Sequence, residues 1–190
     1  MKLIVGLGHI GETYTHTRHN LGWMAVEAFA TTHQAGAFSR KAALQALVTT
    51  VHLGESTILA LPTTYMNVSG RAVRLLADFY HVLPEAILIV QDELDLPLGA
   101  MRFSLGGGAA GHNGIRSIQE TCPDALFPRL RLGIDRPSTP QPIEKYVLER
   151  FPKEDDQVIK QTLERAVQAI DTWRTAGLDV AQQSWNGVRA

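Results

Sequence analysis

Ala86-Ile87-Leu88-Ile89-Val90 is an unbroken apolar run that leads directly into Gln91-Asp92-Glu93. Apolar residues without a period of two mark a strand covered on both faces, in the middle of a sheet. The polar triplet then falls at the strand's carboxyl end, where open α/β sheets keep their working residues. Leu3-Ile4-Val5 reads as a second short buried strand, ending in Gly6-Leu7-Gly8. Leu44 to His52 and Thr57 to Leu61 read as strands joined across a turn at Gly54-Glu55, with Pro62 closing the second. Met101 to Ser104 is a further strand, and Arg129 to Ile134 alternates with the period of a half-exposed one.

Helical spacing fills the gaps. Met24, Val26, Ala28 and Phe29 predict an amphipathic helix from Asn20 to about His33. Ser69 is a suitable N-cap for a helix to Tyr80, and a short helix through Ile118 follows the glycine-rich segment from Gly106 to Gly114. Lys153 to Ala176 predicts one long amphipathic helix, with Asp179 capping a last short one. Strands alternating with helices, through both hairpins and crossovers, imply an α/β fold with a twisted mixed sheet flanked by helices. The 190 residues suit a single domain over 1–190. Pro137 to Pro142 is the only linker-like stretch, and it is too short to divide the chain.

Composition narrows the partners. With 45% hydrophobic residues the chain can bury a sizeable core. Net charge is −1 and the isoelectric point about 6.7, so nucleic acid would have to be met by a local basic patch. Cys122 is the single cysteine and cannot form an internal disulfide, which suits a reducing compartment. The amino terminus offers three apolar residues before Gly6, too few for a signal peptide or a membrane span. A cytoplasmic protein is the expectation.

Gly6-Leu7-Gly8-His9-Ile10-Gly11 fits the G-x-G-x-x-G dinucleotide pattern, whose mechanism needs a helix to begin at once. The following Glu12-Thr13-Tyr14-Thr15-His16-Thr17 starts a helix poorly. No acidic residue stands where the second strand should end, so these glycines read as a tight turn beside a substrate. Of seven histidines, His19 sits where a polar loop meets a helix start, a position suited to a working side chain. His33, His52 and His81 occupy ordinary surface positions. Neither H-E-x-x-H nor any other fixed ligand spacing occurs, so no metal or cofactor is expected.

Asp92 could bond one nitrogen of a histidine, fix its tautomer and stabilise the imidazolium. No serine or cysteine occupies a nucleophile elbow, which leaves water as nucleophile. General-base help of about 10²–10⁴-fold is enough for an activated ester. Asn67 and Asn113 each precede a predicted helix. They can cap it, bind a carbonyl or ribose hydroxyl, or do both.

Six segments in order resemble the bacterial peptidyl-tRNA hydrolase family: Gly6–Gly8, Thr17–Asn20, Pro62–Gly70, Asp92–Pro97, Gly106–Gly108 with Gly111–Gly114, and Arg129–Ile134. The match runs from residue 2 to about 135. The resemblance implies a monomeric, metal-free cytoplasmic esterase that cuts peptide from the 3′ ribose of tRNA. It implies His19 as the base and Asp92 as the group that keeps it basic. Asn67 and Asn113 would hold the substrate, Tyr14 and Tyr65 would line the channel, and Arg131 would meet phosphate. A non-catalytic RNA-binding relative is the alternative. The chain departs from the family pattern at four places. His9 takes the slot of an asparagine that helps tell blocked from free substrates, and Ala109-Ala110 alter the glycine loop. Ser104 replaces a common phosphate-binding lysine, and Pro140 falls near another basic position. Arg129 shares a strand face with Arg131, which reads as solvated. Weaker tRNA binding with a shallow salt dependence is expected.

Overall fold

The computed structural model describes residues 1–187, so the last three residues of the expected 1–190 unit lie outside the described residues. One seven-stranded sheet organises the chain. Its strands are β1 (Lys2–Gly6), β2 (Ser39–Lys41), β3 (Ala46–Leu53), β4 (Glu55–Pro62), β5 (Ile87–Glu93), β6 (Met101–Leu105) and β7 (Pro128–Gly133). They lie in the order β2-β3-β4-β1-β5-β7-β6. The four central strands run parallel, and the β2-β3-β4 and β6-β7 pairings are antiparallel. The mixed sheet expected from the sequence is the one formed, with β5 buried at every residue.

Alternation across the central strands divides the core into two layers. Ile4, Leu59, Leu61, Leu88 and Val90 face one side, and Leu3, Val5, Ile58, Ile87 and Ile89 face the other. The first side is covered by α1 (Leu21–Thr32), α5 (Asp156–Ala176) and α6 (Leu178–Trp185), the second by α2 (Ser69–Tyr80) and α3 (Asn113–Thr121). In α5, Ile159, Thr162, Ala166, Ala169, Ile170 and Trp173 recur at helical spacing and turn inward. Burying a side chain such as Phe29 or Ile170 contributes roughly 1.5–3 kcal/mol. The described residues contain no helix long and apolar enough to cross a membrane.

Several local expectations change. β7 is an interior strand, not a half-exposed one, and its Arg129 is 6% exposed rather than solvated. Ser69 is the first residue of α2, and its hydroxyl contacts the Met66 sulfur instead of capping. Gly177, not Asp179, precedes α6. The segment after Pro142 forms α4 (Ile143–Leu148), which short length and flanking prolines concealed. His33 is no idle surface group: its Nε2 lies 2.8 Å from Asp171, tying α1 to α5.

The glycines of the G-x-G pattern serve packing. A Cβ on Gly6 would lie 2.6 Å from the Gly22 carbonyl oxygen, and one on Gly8 would lie 2.6 Å from the Trp23 ring. Helix α1 therefore fills the space that was read as open to substrate. After Gly11 comes a 3₁₀ turn, Glu12–Tyr14, in place of the α-helix that the dinucleotide pattern requires there. Gly22 is the tightest point of this seam, with Val90 O 2.3 Å from its would-be Cβ. Gly22→Ala is expected to cost about 3 kcal/mol or more, because backbone on both sides must move. Urea denaturation measures it, and a loss under about 0.5 kcal/mol would mean the seam relaxes freely.

Candidate active site

Parallel strands β4, β1 and β5 end on the same edge, and the segments leaving them meet there. β5 carries Asp92 to that edge, 2% exposed. His19 arrives on a 3₁₀ turn, Arg18–Asn20, just before α1. The turn is held from both sides. Thr17 Oγ donates to Tyr14 O at 2.9 Å, and the Arg18 guanidinium donates to the carbonyls of Tyr146, Glu149 and Arg150 at 3.3–3.4 Å. Those carbonyls belong to the last turn of α4 and the two residues that follow it, where a cation is favoured. Arg18 also stacks on the Tyr146 ring at 4.1 Å. The helix missed in the sequence is thus what anchors the histidine turn.

His19 Nδ1 lies 2.9 Å from Asp92 Oδ1, the contact on which the sequence reading depended. A second imidazole shares the same oxygen: His112 Nε2 stands 3.0 Å from it. The backbone N–H groups of Gly114 and Ile115 donate to His112 Nδ1 at 3.1 and 3.3 Å. That nitrogen must then be the acceptor, which puts the ring's proton on Nε2 and directs it at Asp92. The carboxylate accepts from both rings and fixes His19 as the Nδ1–H tautomer. His19 Nε2, which bonds to no described residue, keeps a lone pair facing outward.

Sequence reasoning missed His112. It named Asn113 as a candidate cap of α3, but Asn113 is the first residue of the helix and His112 caps it. The signal was present as the residue before the first helical position. Imidazole is an uncommon cap, and so the asparagine drew attention instead.

The charges follow from this arrangement. Burial alone would push the Asp92 carboxyl up, yet the two imidazoles, through charge and hydrogen bonds, hold it well below the usual carboxylate range. For His19 burial opposes the charged form, but the Asp92 carboxylate outweighs it, and the ring's pKa rises above 6.5. His9 is pushed down to about 4, first by burial and then by His19.

A groove of about 680 Å³ opens on this edge, lined by His9, His19, Tyr65, Met66, Asn67, Asn113, Arg116, Ser117, Glu120, Glu144 and Leu148. Of the expected site residues, His9, His19, Tyr65, Asn67 and Asn113 meet here, with Asp92 directly behind. Tyr65 is 80% exposed at its rim. The amides of Asn67 and Asn113 bond to no described residue and remain open to a ligand. They are brought together because α2 and α3 touch at Gly70, whose N–H donates to Ser117 Oγ at 3.0 Å. Tyr14 is set back, its ring 5.0 Å from that of His9. Arg131 stands apart from the groove, its Nε donating to buried Glu93 at 2.7 Å. The exposed Arg102 is its cross-strand partner, a cation the sequence reading passed over. In the altered glycine loop, Ala110 adopts φ +48, a left-handed conformation that costs a residue with a Cβ about 1–2 kcal/mol.

Among the described residues, His19, Asp92 and His112 also form a set of ligand atoms close enough to hold a metal ion, all within 4.8 Å. As arranged, both imidazole N–H groups point at the carboxylate, so an ion would have to displace two protons. The arrangement places an imidazole with an uncommitted nitrogen at an open groove, a buried carboxylate behind it, and two amides beside it, groups able to activate water and offset an imidazolium. That is equipment for hydrolysis at a carbonyl.

Known proteins agree. A family model described as peptidyl-tRNA hydrolase matches residues 3–190. The chain belongs to the peptidyl-tRNA hydrolase family. It is 42% identical over 195 residues to the peptidyl-tRNA hydrolase of Nitratidesulfovibrio vulgaris, covering 98% of this chain and 97% of that one. It is also 42% identical to the Thermus thermophilus enzyme over 188 residues, covering 99% and 97%. The crystal structure of peptidyl-tRNA hydrolase from Acinetobacter baumannii superposes with a TM-score of 0.92 at 33% identity, covering 100% of this chain and 96% of that one. These matches extend the resemblance seen in the first two thirds of the sequence through the carboxyl-terminal helices.

Proposed function

We propose that this chain hydrolyses the ester between a peptide and the 3′ ribose of tRNA, with His19 as general base and Asp92 as its positioning partner. The observation that carries this reading is the 2.9 Å contact between His19 Nδ1 and Asp92. Water held at His19 Nε2 gives up a proton as its oxygen bonds to the ester carbonyl carbon. The tetrahedral intermediate then collapses, the bond from carbon to the ribose oxygen breaks, and the imidazolium returns the proton to that oxygen. Asp92 stays ionised throughout and offsets the imidazolium charge. Asn67 and Asn113 hold the peptide and the terminal nucleoside, and Tyr65 offers a ring at the rim on which a base can stack. None of these steps calls on a metal or cofactor. The direct test is release of N-acetyl amino acid from N-acetyl-aminoacyl-tRNA by the purified protein. A protein that binds this tRNA without cleaving it would be the non-catalytic relative instead.

Arg131 and Arg102, side by side on β7 and β6, form the phosphate-contacting pair in this proposal. Glu93 offsets part of their charge, and Ser104 adds none. With two phosphate contacts, raising salt from about 50 to 200 mM should weaken tRNA binding by only about tenfold. KM measured across that range checks it, and a rise near 10³-fold would mean that a larger basic surface takes part. In keeping with the family resemblance, the proposed working form is a cytoplasmic monomer, which sedimentation at working concentration tests.

A further inference from the structure

His9 has a nitrogen that nothing in the fold explains. Its Nδ1 is buried and has no partner among the described residues, while its ring lines the groove beside His19, the two centroids 5.5 Å apart. The backbone on either side is fixed: Asn20 Oδ1 accepts from His9 N–H, and Asn20 Nδ2 donates to His9 O, each at 2.9 Å. Tyr14 packs against the ring at 5.0 Å. A side chain held this firmly is built to present one atom.

Which atom follows from burial. A buried N–H left without an acceptor is rarer in proteins than an under-satisfied acceptor, so the hidden Nδ1 keeps the lone pair. The proton then sits on Nε2, the nitrogen that reaches the groove. The neutral ring is donor-only there, and the low pKa, set first by burial, keeps it neutral across the working range. Across the same gap His19 Nε2 offers the complementary group, an unprotonated base.

We propose, resting on the hydrolytic reading above, that His9 is a catalytic electrophile whose Nε2–H donates to the ester carbonyl oxygen as it becomes an oxyanion. One imidazole takes the proton from water, and the other receives the negative charge that the attack places on oxygen. The His9 proton is not transferred: it stays on nitrogen while the C=O π bond opens and re-forms. A preset donor at that position acts mainly on the transition state, because the oxygen carries most charge there. A neutral histidine suits the role, since an imidazolium would raise the cost of charging His19 next to it. Asn67 and Asn113 are exposed, and their amides have no supporting bonds among the described residues, which fits them to hold flanking parts of the substrate.

The test uses the full chain and N-acetyl-aminoacyl-tRNA under steady-state conditions. His9→Phe keeps a ring for Tyr14 and loses the donor, so kcat should fall about 10²-fold with KM within threefold of the parent. His9→Asn restores a donor and should recover most of that loss. Thermal melting verifies folding, with His9→Leu as the replacement should the phenylalanine variant not fold. The proposal is overturned if the donor-less variant keeps kcat within threefold, if the loss lies in KM alone, or if asparagine recovers nothing. A parent protein that cleaves no substrate removes the hydrolytic reading and this inference together. A parent that cleaves alongside an equally active His9→Phe removes the inference alone.

Discussion

His19→Ala should lower kcat on N-acetyl-aminoacyl-tRNA by about 10²–10⁴-fold, the range that a positioned general base supplies. The expectation rests on one free nitrogen. Nδ1 is committed to Asp92 at 2.9 Å, while His112 uses both of its nitrogens, one to cap α3 and one toward Asp92, and His9 presents its proton, so among the described histidines lining this groove His19 Nε2 is left to accept a proton from water. Alanine leaves water in place but removes the acceptor for its proton. The substitution also leaves Asp92 with His112 as its remaining partner. Stability should therefore fall by about 1–3 kcal/mol, the cost of a buried acceptor losing a charged bond. His19→Asn, which can still donate to the carboxylate, separates the two effects: folding should recover and turnover should not. Rapid-quench assays with both variants measure it. Turnover by either variant at the parental rate would take His19 out of the mechanism.

Much of this was legible in the sequence because it depends on local patterns. The run Ala86–Val90 reads as a central strand from hydrophobicity alone, and Asp92 follows from where the run stops. His19 and Asp92, 73 residues apart, could be paired because carboxyl ends of parallel strands converge on one edge. What the sequence concealed depends on tertiary contact. Arg129 alternates as though solvated, yet β6 covers its strand and the residue is buried. Helix α4 has six residues and weak periodicity, and it holds because Arg18 bonds carbonyls in its last turn and just past its end, 128–132 positions away. His112 was overshadowed by Asn113, because which of two adjacent polar residues caps a helix turns on where the first helical φ falls. Gly6 and Gly8 look like a ligand loop until α1 is seen to press on them.

Asp92→Asn is the sharper experiment, since it predicts a direction as well as a loss. The base works only when neutral, so the parental rate should rise with pH through a His19 pKa that lies above 6.5. Two influences set that value: burial, which lowers it, and the carboxylate, which raises it and prevails. An asparagine keeps the shape and can accept from both imidazoles, but it brings no charge. Burial is then unopposed, and the acidic limb of the pH–rate profile must move to lower pH, below 6.5. The plateau falls at the same time, because the imidazolium formed during attack loses its counter-charge. The same carboxylate-to-amide change in a serine-protease triad costs about 10⁴-fold. Here the expected loss is nearer 10²–10³, because the cap on His112 still fixes that ring's Nε2–H toward residue 92 and the lone pair on His19 need not flip. A purely structural role for Asp92 would lower the plateau and leave the limb where it was. A limb that moved to higher pH would contradict the electrostatic argument outright, because among the described residues Asp92 is the group whose charge raises the His19 pKa.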